Sequence, residues 1–283
     1  MALELRGVTP LRLARFAGHG AADLLGPVCE AGRGHGARAF ELIGSHFDLL
    51  LAERLPGGGW PAVLRGRTVQ REASPVVEVP DGGWEAYLAG RSSNLRSQLR
   101  RKERRLVEQG LTYRLSDADR LTGDMEALVR LHGERWGGGA TQALGPKRAA
   151  FHREFAGIAL ERGWLRLWLA ELEGRTVAAW YGFRYGGAEW YYQSGRDPEL
   201  DRESVGLVLL AHTIREAMND GVREYKLLRG GESYNDRFAT ADHGLQTVAV
   251  GRGPLGGLAA RAAPAAVGLR RRLRRRATSL APE

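Results

Sequence analysis

Residues 163–195 read GWLRLWLAELEGRTVAAWYGFRYGGAEWYYQSG, and this stretch decides the fold. Trp164 to Glu171 alternates, with Leu165, Leu167 and Leu169 on one side. A Glu173-Gly174-Arg175 turn leads into Val177 to Tyr185, and Gly186-Gly187 turns into Glu189 to Ser194. Alternation marks strands, and turns this short join only antiparallel neighbours, so three strands in a meander are predicted.

Downstream, Ser204 to Asn219 carries Leu207, Leu210, Ala211, Ile214 and Met218 on one helical stripe, closed by Gly221. A strand at Glu224 to Leu228, a short helix at Ser233 to Phe238 and a last strand at Leu245 to Val250 follow. Upstream, Leu111 to Leu115 alternates as a strand. Asp124 to Trp136 has helical spacing and stops at Gly137-Gly138-Gly139, and Pro146 opens a second helix. The order is β-α-α-β-β-β-α-β-α-β. A basic helical stretch, Trp84 to Gln109, precedes it, capped within by Ser92, Ser93 or Asn94 and ended by Gly110. Residues 1–83 are turn-rich, with a helix predicted at Ala21 to Ala31 and strands at Phe40 to Leu42, Phe47 to Leu51 and Pro75 to Val79.

Composition narrows the functional classes. The chain has 283 residues and a net charge of +9, and all but three of its 42 cationic side chains are arginine. From Arg252 onward there are eight arginines and one acid, leaving the preceding residues with 34 bases against 32 acids. A near-neutral body with a basic tail is not the footprint of a duplex-DNA reader. The lone Cys29 excludes an internal disulfide and a cysteine-based zinc site, and no metal is expected. The N-terminus breaks its apolar stretches with Arg6, Arg12 and Arg15, a poor signal peptide, and no run reaches membrane-spanning length. A cytoplasmic protein is expected.

Four ordered blocks carry a family resemblance: Trp84 to Gly110, Leu131 to Trp136 (LHGERW), Gly163 to Gly195, and Asp197 to Phe238. They resemble the GNAT-like acetyltransferases of the CelD type, associated with cellulose biosynthesis and related to the Fem-type peptidoglycan aminoacyltransferases. The resemblance implies an α/β fold: a GNAT-like mixed, largely antiparallel sheet flanked by helices. It divides the chain into a partial GNAT-like module (1–83), a basic connector (84–109), the acyltransferase domain (110–251) and a basic tail (252–283). The family has more sequence before the region matching Leu11 to Val28, so a short N-terminus is expected.

The resemblance also implies acyl-CoA, typically acetyl-CoA, as co-substrate and an amine acceptor, on a small molecule or a glycan precursor. Backbone groups of Tyr192, Gln193 and Ser194 are expected to hold the pantetheine arm. The pyrophosphate is expected at the turn Ser204, Val205, Gly206, where unpaired helix amides attract an anion. That turn has less glycine than the family's usual loop, and Ser204 reads equally as a simple helix cap. Tyr234 stands where many GNAT enzymes keep an acid tyrosine, and also reads as a packed aromatic. Glu232 and Glu189 are the nearest carboxylates for a proton relay, Glu189 equally an ordinary strand-edge charge. His132, Arg135 and Trp136 are expected to line an acceptor pocket or to pack a helix end. Arg229 and Arg237 complete the substrate-binding expectations. The family's block resembles RGDEPYK-x-RW; here an acid is replaced by Gly231 and a lysine by Asn235.

Other signals point elsewhere. Gly251-Arg252-Gly253-Pro254-Leu255-Gly256 fits a dinucleotide motif, but no βαβ unit or acid follows at the needed distance. The tail RRRLRRR (270–276), after Leu258 to Leu269, reads as an amphipathic basic helix drawn to an anionic membrane surface or RNA, or as a solvated tail. Two alternatives to acyl-CoA transfer stay open: an aminoacyl-tRNA donor, suggested by the basic connector, and a non-catalytic scaffold, suggested by Gly231 and Asn235.

Overall fold

The computed structural model describes residues 3–8, 11–26, 46–57, 60–136, 143–229 and 233–279. Its strands are β1 (Leu3–Val8), β2 (Leu11–Phe16), β3 (Leu49–Pro56), β4 (Arg67–Glu72), β5 (Pro75–Glu78), β6 (Thr112–Leu115), β7 (Leu165–Leu172), β8 (Arg175–Tyr185), β9 (Ala188–Arg196), β10 (Glu224–Lys226), β11 (Ala241–Asp242) and β12 (Leu245–Gly251). Its α-helices are α1 (Trp60–Val63), α2 (Gly83–Ala89), α3 (Ser93–Glu108), α4 (Leu121–Trp136), α5 (Pro146–Glu161), α6 (Val205–Asn219), α7 (Ser233–Phe238) and α8 (Gly253–Ser279). The chain divides into two units, residues 75–242 and the combination of 1–74 with 243–283.

Residues 75–242 form a seven-stranded sheet in the order β11-β5-β10-β9-β8-β7-β6. The predicted meander is present: β7, β8 and β9 pair antiparallel in sequence. Both hairpins close on two residues with positive φ, Glu173 and Gly174 (52° and 77°) and Gly186 and Gly187 (64° and 77°). This handedness matches the twist of the flanking strands, and it fixes the register. Along β8, Ala178 and Trp180 bury into a core with Leu209, Ile214 and Tyr225, while Ala179 and Tyr181 bury into another with Met125, Leu128 and Leu131. The sheet thus carries α2, α3 and α6 on one face and α4 and α5 on the other, the layering a sheet hydrophobic on both faces requires. Burying Trp180, 1% exposed, contributes about 3 kcal/mol.

The basic stretch divides as its capping residues foretold. α2 ends at Gly90, and Ser92 caps α3 by accepting from the Leu95 amide. Leu95, Leu99 and Leu106 are the buried stripe of α3.

Two strands sit differently from expectation. Leu245 to Val250 does not finish the sheet that holds the meander: as β12 it runs between β3 and β4 in the other sheet. The place beside β10 is taken by β5, antiparallel, with Val76 and Val77 fully buried. The reason is local: β5 offers an apolar run that a central position demands, whereas β12 buries Leu245, Val248 and Ala249 against β3 and β4. The seven-stranded sheet therefore begins before the basic helices and ends at Asp242, not at residue 251.

The other unit is a five-stranded sheet, β1-β2-β3-β12-β4, with α1 and α8. Ala14, Phe16, Phe47, Leu50, Leu55 and Val248 form its core. The tail, read from sequence as an amphipathic basic helix or a solvated segment, is helical as α8, whose first half packs Ala260 and Ala263 against Leu49 and Ala249. Residues 21–26 are turn and irregular where the helix Ala21 to Ala31 was expected; its remainder and the strand Phe40 to Leu42 lie outside the described residues. β1, β2 and β4 were not anticipated. The glycine motif at 251–256 joins β12 to α8, and no strand follows α8 among the described residues.

Candidate active site

The seven-stranded sheet opens at one point. β10 pairs with β9 in parallel only where Glu224–Lys226 faces Ala188, Glu189 and Trp190. β9 continues to Arg196, and on the β10 side no ladder accompanies it among the described residues. A register shift between Tyr181 and Gly182 leaves Tyr192 as the extra residue of a bulge. A bulge raises local twist, so β9 turns away where the pairing with β10 stops. Tyr192, Gln193 and Ser194, the expected pantetheine-binding residues, lie on this diverging stretch.

A cavity of about 190 Å³ lies between that stretch and α6. Trp180, Tyr191, Leu207 and Leu210 supply apolar lining, and Ser194, Arg196, Asp201 and Ser204 supply polar lining. Tyr191 Oη and Ser194 Oγ share a 2.6 Å hydrogen bond. The buried Trp180 indole N–H has no hydrogen-bond partner among the described residues.

Ser204 occupies the N-cap position of α6, but with φ 60° and ψ 41° and no side-chain capping bond. Its hydroxyl is therefore not spent on the helix, contrary to the simple-cap reading. Val205 opens the helix, and Gly206 lies beneath the Arg196 side chain: a Cβ there would come within 2.9 Å of Arg196 Cδ. Arg196 is oriented by Asp201, Nε to Oδ1 at 3.1 Å. A guanidinium and first-turn helix amides in one place favour an anion twice over, by charge and by unpaired N–H groups. Arg196 and Asp201 were not singled out from sequence, because their meeting depends on how β9 turns into α6.

On the opposite face, α4 brings His132 against β9. The ring is 3% exposed, and Nδ1–H donates to the Ser194 carbonyl at 3.1 Å. Gly195 permits this approach, since a Cβ there would lie 2.4 Å from the His132 backbone nitrogen. Arg135 and Trp136 lie in the last turn of α4. On this face of the sheet is also a cluster that sequence reading passed over. Tyr181 Oη lies 3.4 Å from His152 Nδ1, and the His152 ring packs 4.9 Å from that of Tyr192. Burial, assisted by the charge of Arg148, pushes His152 down to about 4, so its imidazole is neutral at pH 7. Burial likewise raises the Tyr181 phenol.

The block after β10 is only partly described. Leu228 has φ 57°, Arg229 is exposed, and Tyr234 lies within α7. Glu232 lies outside the described residues. Arg237 donates to Gln98 Oε1 at 2.5 Å, tying α7 to α3. Tyr87 and Arg91 donate to the carbonyls of Phe238 and Ala239. Arg237 thus holds the helix in place.

Glu189 is neither a strand-edge charge nor on the open stretch. It is wholly buried at the paired end of β9, where Arg184 donates to Oε2 through Nε at 2.8 Å and Nη2 at 2.7 Å. Arg166 stands 3.9 Å away. Burial raises its carboxyl above the usual range although both arginines pull the other way.

The sequence model described as an acetyltransferase (GNAT) domain matches residues 93–236. No curated protein sequence matches the chain significantly. Among solved structures the chain is similar to FemX, with TM-score 0.63 and 12% identity over 91% of this chain and 86% of that one. It is also similar to the C-terminal DUF2156 domain of an Agrobacterium fabrum protein (TM-score 0.62, 10% identity, 91% and 82% covered). L-PGS from Bacillus licheniformis is a third such structure (TM-score 0.53, 11% identity, 93% and 85% covered). At these identities the likeness concerns the fold alone. The matched domain spans half of the chain and includes α4, the meander, the opening beside β9 and the start of α6: the chain belongs to the GNAT acetyltransferase family.

Proposed function

We propose that this chain is an N-acyltransferase that moves an acyl group from acyl-CoA to an amine. The observation that carries this reading is the parting of β9 from β10 after Trp190, with Arg196 and the first turn of α6 beyond it. The stretch of β9 at Tyr192, Gln193 and Ser194, beyond the β10 ladder, suits the amides of a pantetheine arm. The α6 turn with Arg196 suits the pyrophosphate, and the apolar walls formed by Trp180 and Leu210 suit the arm's hydrocarbon portion.

In the reaction, the amine nitrogen attacks the thioester carbonyl and gives up a proton to the relay, the C–N bond forms, the C–S bond breaks, and the thiolate takes up a proton. An amide N–H on the open edge of β9 would stabilise the oxyanion. Tyr234 is the proposed acid for the thiolate and Glu232 the proposed proton relay. His132 orients the Ser194 carbonyl, and Arg135, Trp136 and Arg229 are proposed for the acceptor. A CelD-type relationship, which the four sequence blocks suggest, would favour a sugar or envelope-polysaccharide precursor as acceptor. Isothermal titration with acetyl-CoA tests the reading directly: saturable binding is expected, and no heat at millimolar ligand would sink it.

One observation favours a second reading, with an aminoacyl-tRNA as donor. Arg96, Arg100, Arg101 and Arg104 line a shallow concavity with Ser93 and Ser97 on α3, in a fold shared with FemX. That reading expects tRNA binding that weakens steeply with salt. Salt-insensitive or absent tRNA binding decides against it.

A further inference from the structure

Helix α8 has two apolar faces, and among the described residues only one of them is covered. Gly256, Ala260 and Ala263 point inward, Ala260 and Ala263 being 6% and 8% exposed against the five-stranded sheet. Leu255 and Leu258 point outward, 56% and 65% exposed, and Ala262 and Ala266 continue their line as exposed positions. The spacing of 255, 258, 262 and 266 is that of a single helical stripe. The backbone remains helical to Ser279, so positions 269 and 273, both leucine in the sequence, fall on the same line.

Charge says what covers this stripe. The helix Gly253–Ser279 contains no acid, and six of the seven residues 270–276 are arginine. A protein partner could match the leucines, and a nucleic acid could match the arginines. An anionic bilayer surface matches both at once, with acyl chains beneath the stripe and headgroup phosphates around the cations. The helix has 27 residues and spans about 40 Å, whereas strands of six to eight residues span roughly 20–27 Å. Length is therefore left for contact beyond the sheet. No helix among the described residues is long and apolar enough to cross a membrane, so contact through α8 would be in the interfacial plane.

We infer that α8 docks the protein on an anionic lipid surface, its Leu255–Leu258 stripe entering the interface and its arginine run contacting the headgroups. This goes beyond the acyltransferase reading and does not depend on it.

The test is co-sedimentation of the full chain with vesicles of phosphatidylcholine alone or mixed with phosphatidylglycerol. Binding is expected only on the mixed vesicles, and it weakens in high salt as the screening length shrinks. A Leu255→Ser, Leu258→Ser variant should partition at least about tenfold less. A variant with Arg274→Gln, Arg275→Gln and Arg276→Gln should lose on the order of a hundredfold. All substitutions are in exposed or terminal-helix positions, and far-UV circular dichroism checks that each variant is folded. Equal binding to both vesicles, no binding to either, or binding unchanged by the leucine substitutions overturns the inference. Retention of an RNA oligonucleotide in place of vesicles also overturns it, and assigns the arginine run to nucleic acid.

Discussion

Over Ala188 to Trp190, β9 is gripped on both edges, by β8 and by β10, and Glu189 is sealed against Arg184. From Tyr191 to Arg196 the same strand bulges, loses the β10 ladder and presents polar groups to a cavity beside α6. One end is closed by an ion pair to a wholly buried carboxylate; the other borders a cavity. On the proposed reading, the difference teaches that stability and binding are separately placed along a single strand. Substitutions at the first end should cost folding, and those at the second should cost affinity.

The largest effect is expected at the closed end. Glu189→Gln leaves Arg184 and Arg166 beside a neutral amide, and should lower unfolding free energy in urea by about 3 kcal/mol. Acetyl-CoA affinity of the folded fraction should be unchanged; a fall in affinity with stability intact would break the comparison. A similar magnitude comes from pH. His152, packed under Tyr192, is held near 4 when folded against about 6.5 when unfolded. Between those values the unfolded chain binds the extra proton, so stability falls as pH drops from about 6.5 toward 4, by about 3 kcal/mol for this group. His212, pushed down to about 4 by burial and then by Arg215, adds a loss of the same sign. Urea titrations at neutral and acid pH, repeated for His152→Gln, should show a smaller slope in the variant.

At the open end, Arg196→Gln should weaken acetyl-CoA binding about tenfold with little change in melting, as read by titration calorimetry. Loss of folding in place of affinity would reassign Arg196 and Asp201 to the frame. The smallest effect sharpens the contrast. Ser204→Gly relieves a left-handed residue and should raise stability by up to about 1 kcal/mol, measured by thermal unfolding. If Ser204 contacts the ligand, that gain will be accompanied by a loss of affinity.

The meander was legible because its information is local: two-residue turns, alternating leucines and glycine positions allow one pairing. Helices α3 and α6 were legible through a cap and a stripe, and α5 through Pro146 at its start, although Phe151 and Ile158, expected on its buried face with Phe155 and Ala159, are exposed. What sequence could not show was which strands share a sheet. β5 and β10 are far apart in the chain yet adjacent, and β12 resembles any buried strand until β3 and β4 are seen beside it. The site shows the same division. Tyr192 to Ser194 and the α6 turn follow from motif position, whereas Arg196 with Asp201, and His132 on the Ser194 carbonyl, arise from tertiary approach. Glu189 was misjudged because period-two alternation says which face a residue takes, not whether that face is sealed.

The position of β12 bears on how the chain is made. β3 and β4 emerge from the ribosome early, but the strand that joins them follows only after residues 75–242 have been synthesised. At typical elongation rates that delay is on the order of ten seconds or more. Throughout it, β3 and β4 each lack their shared neighbour and expose an edge able to pair with the wrong chain. Truncation after Asp242 would make that condition permanent, and the truncated chain is expected to aggregate where the full chain does not.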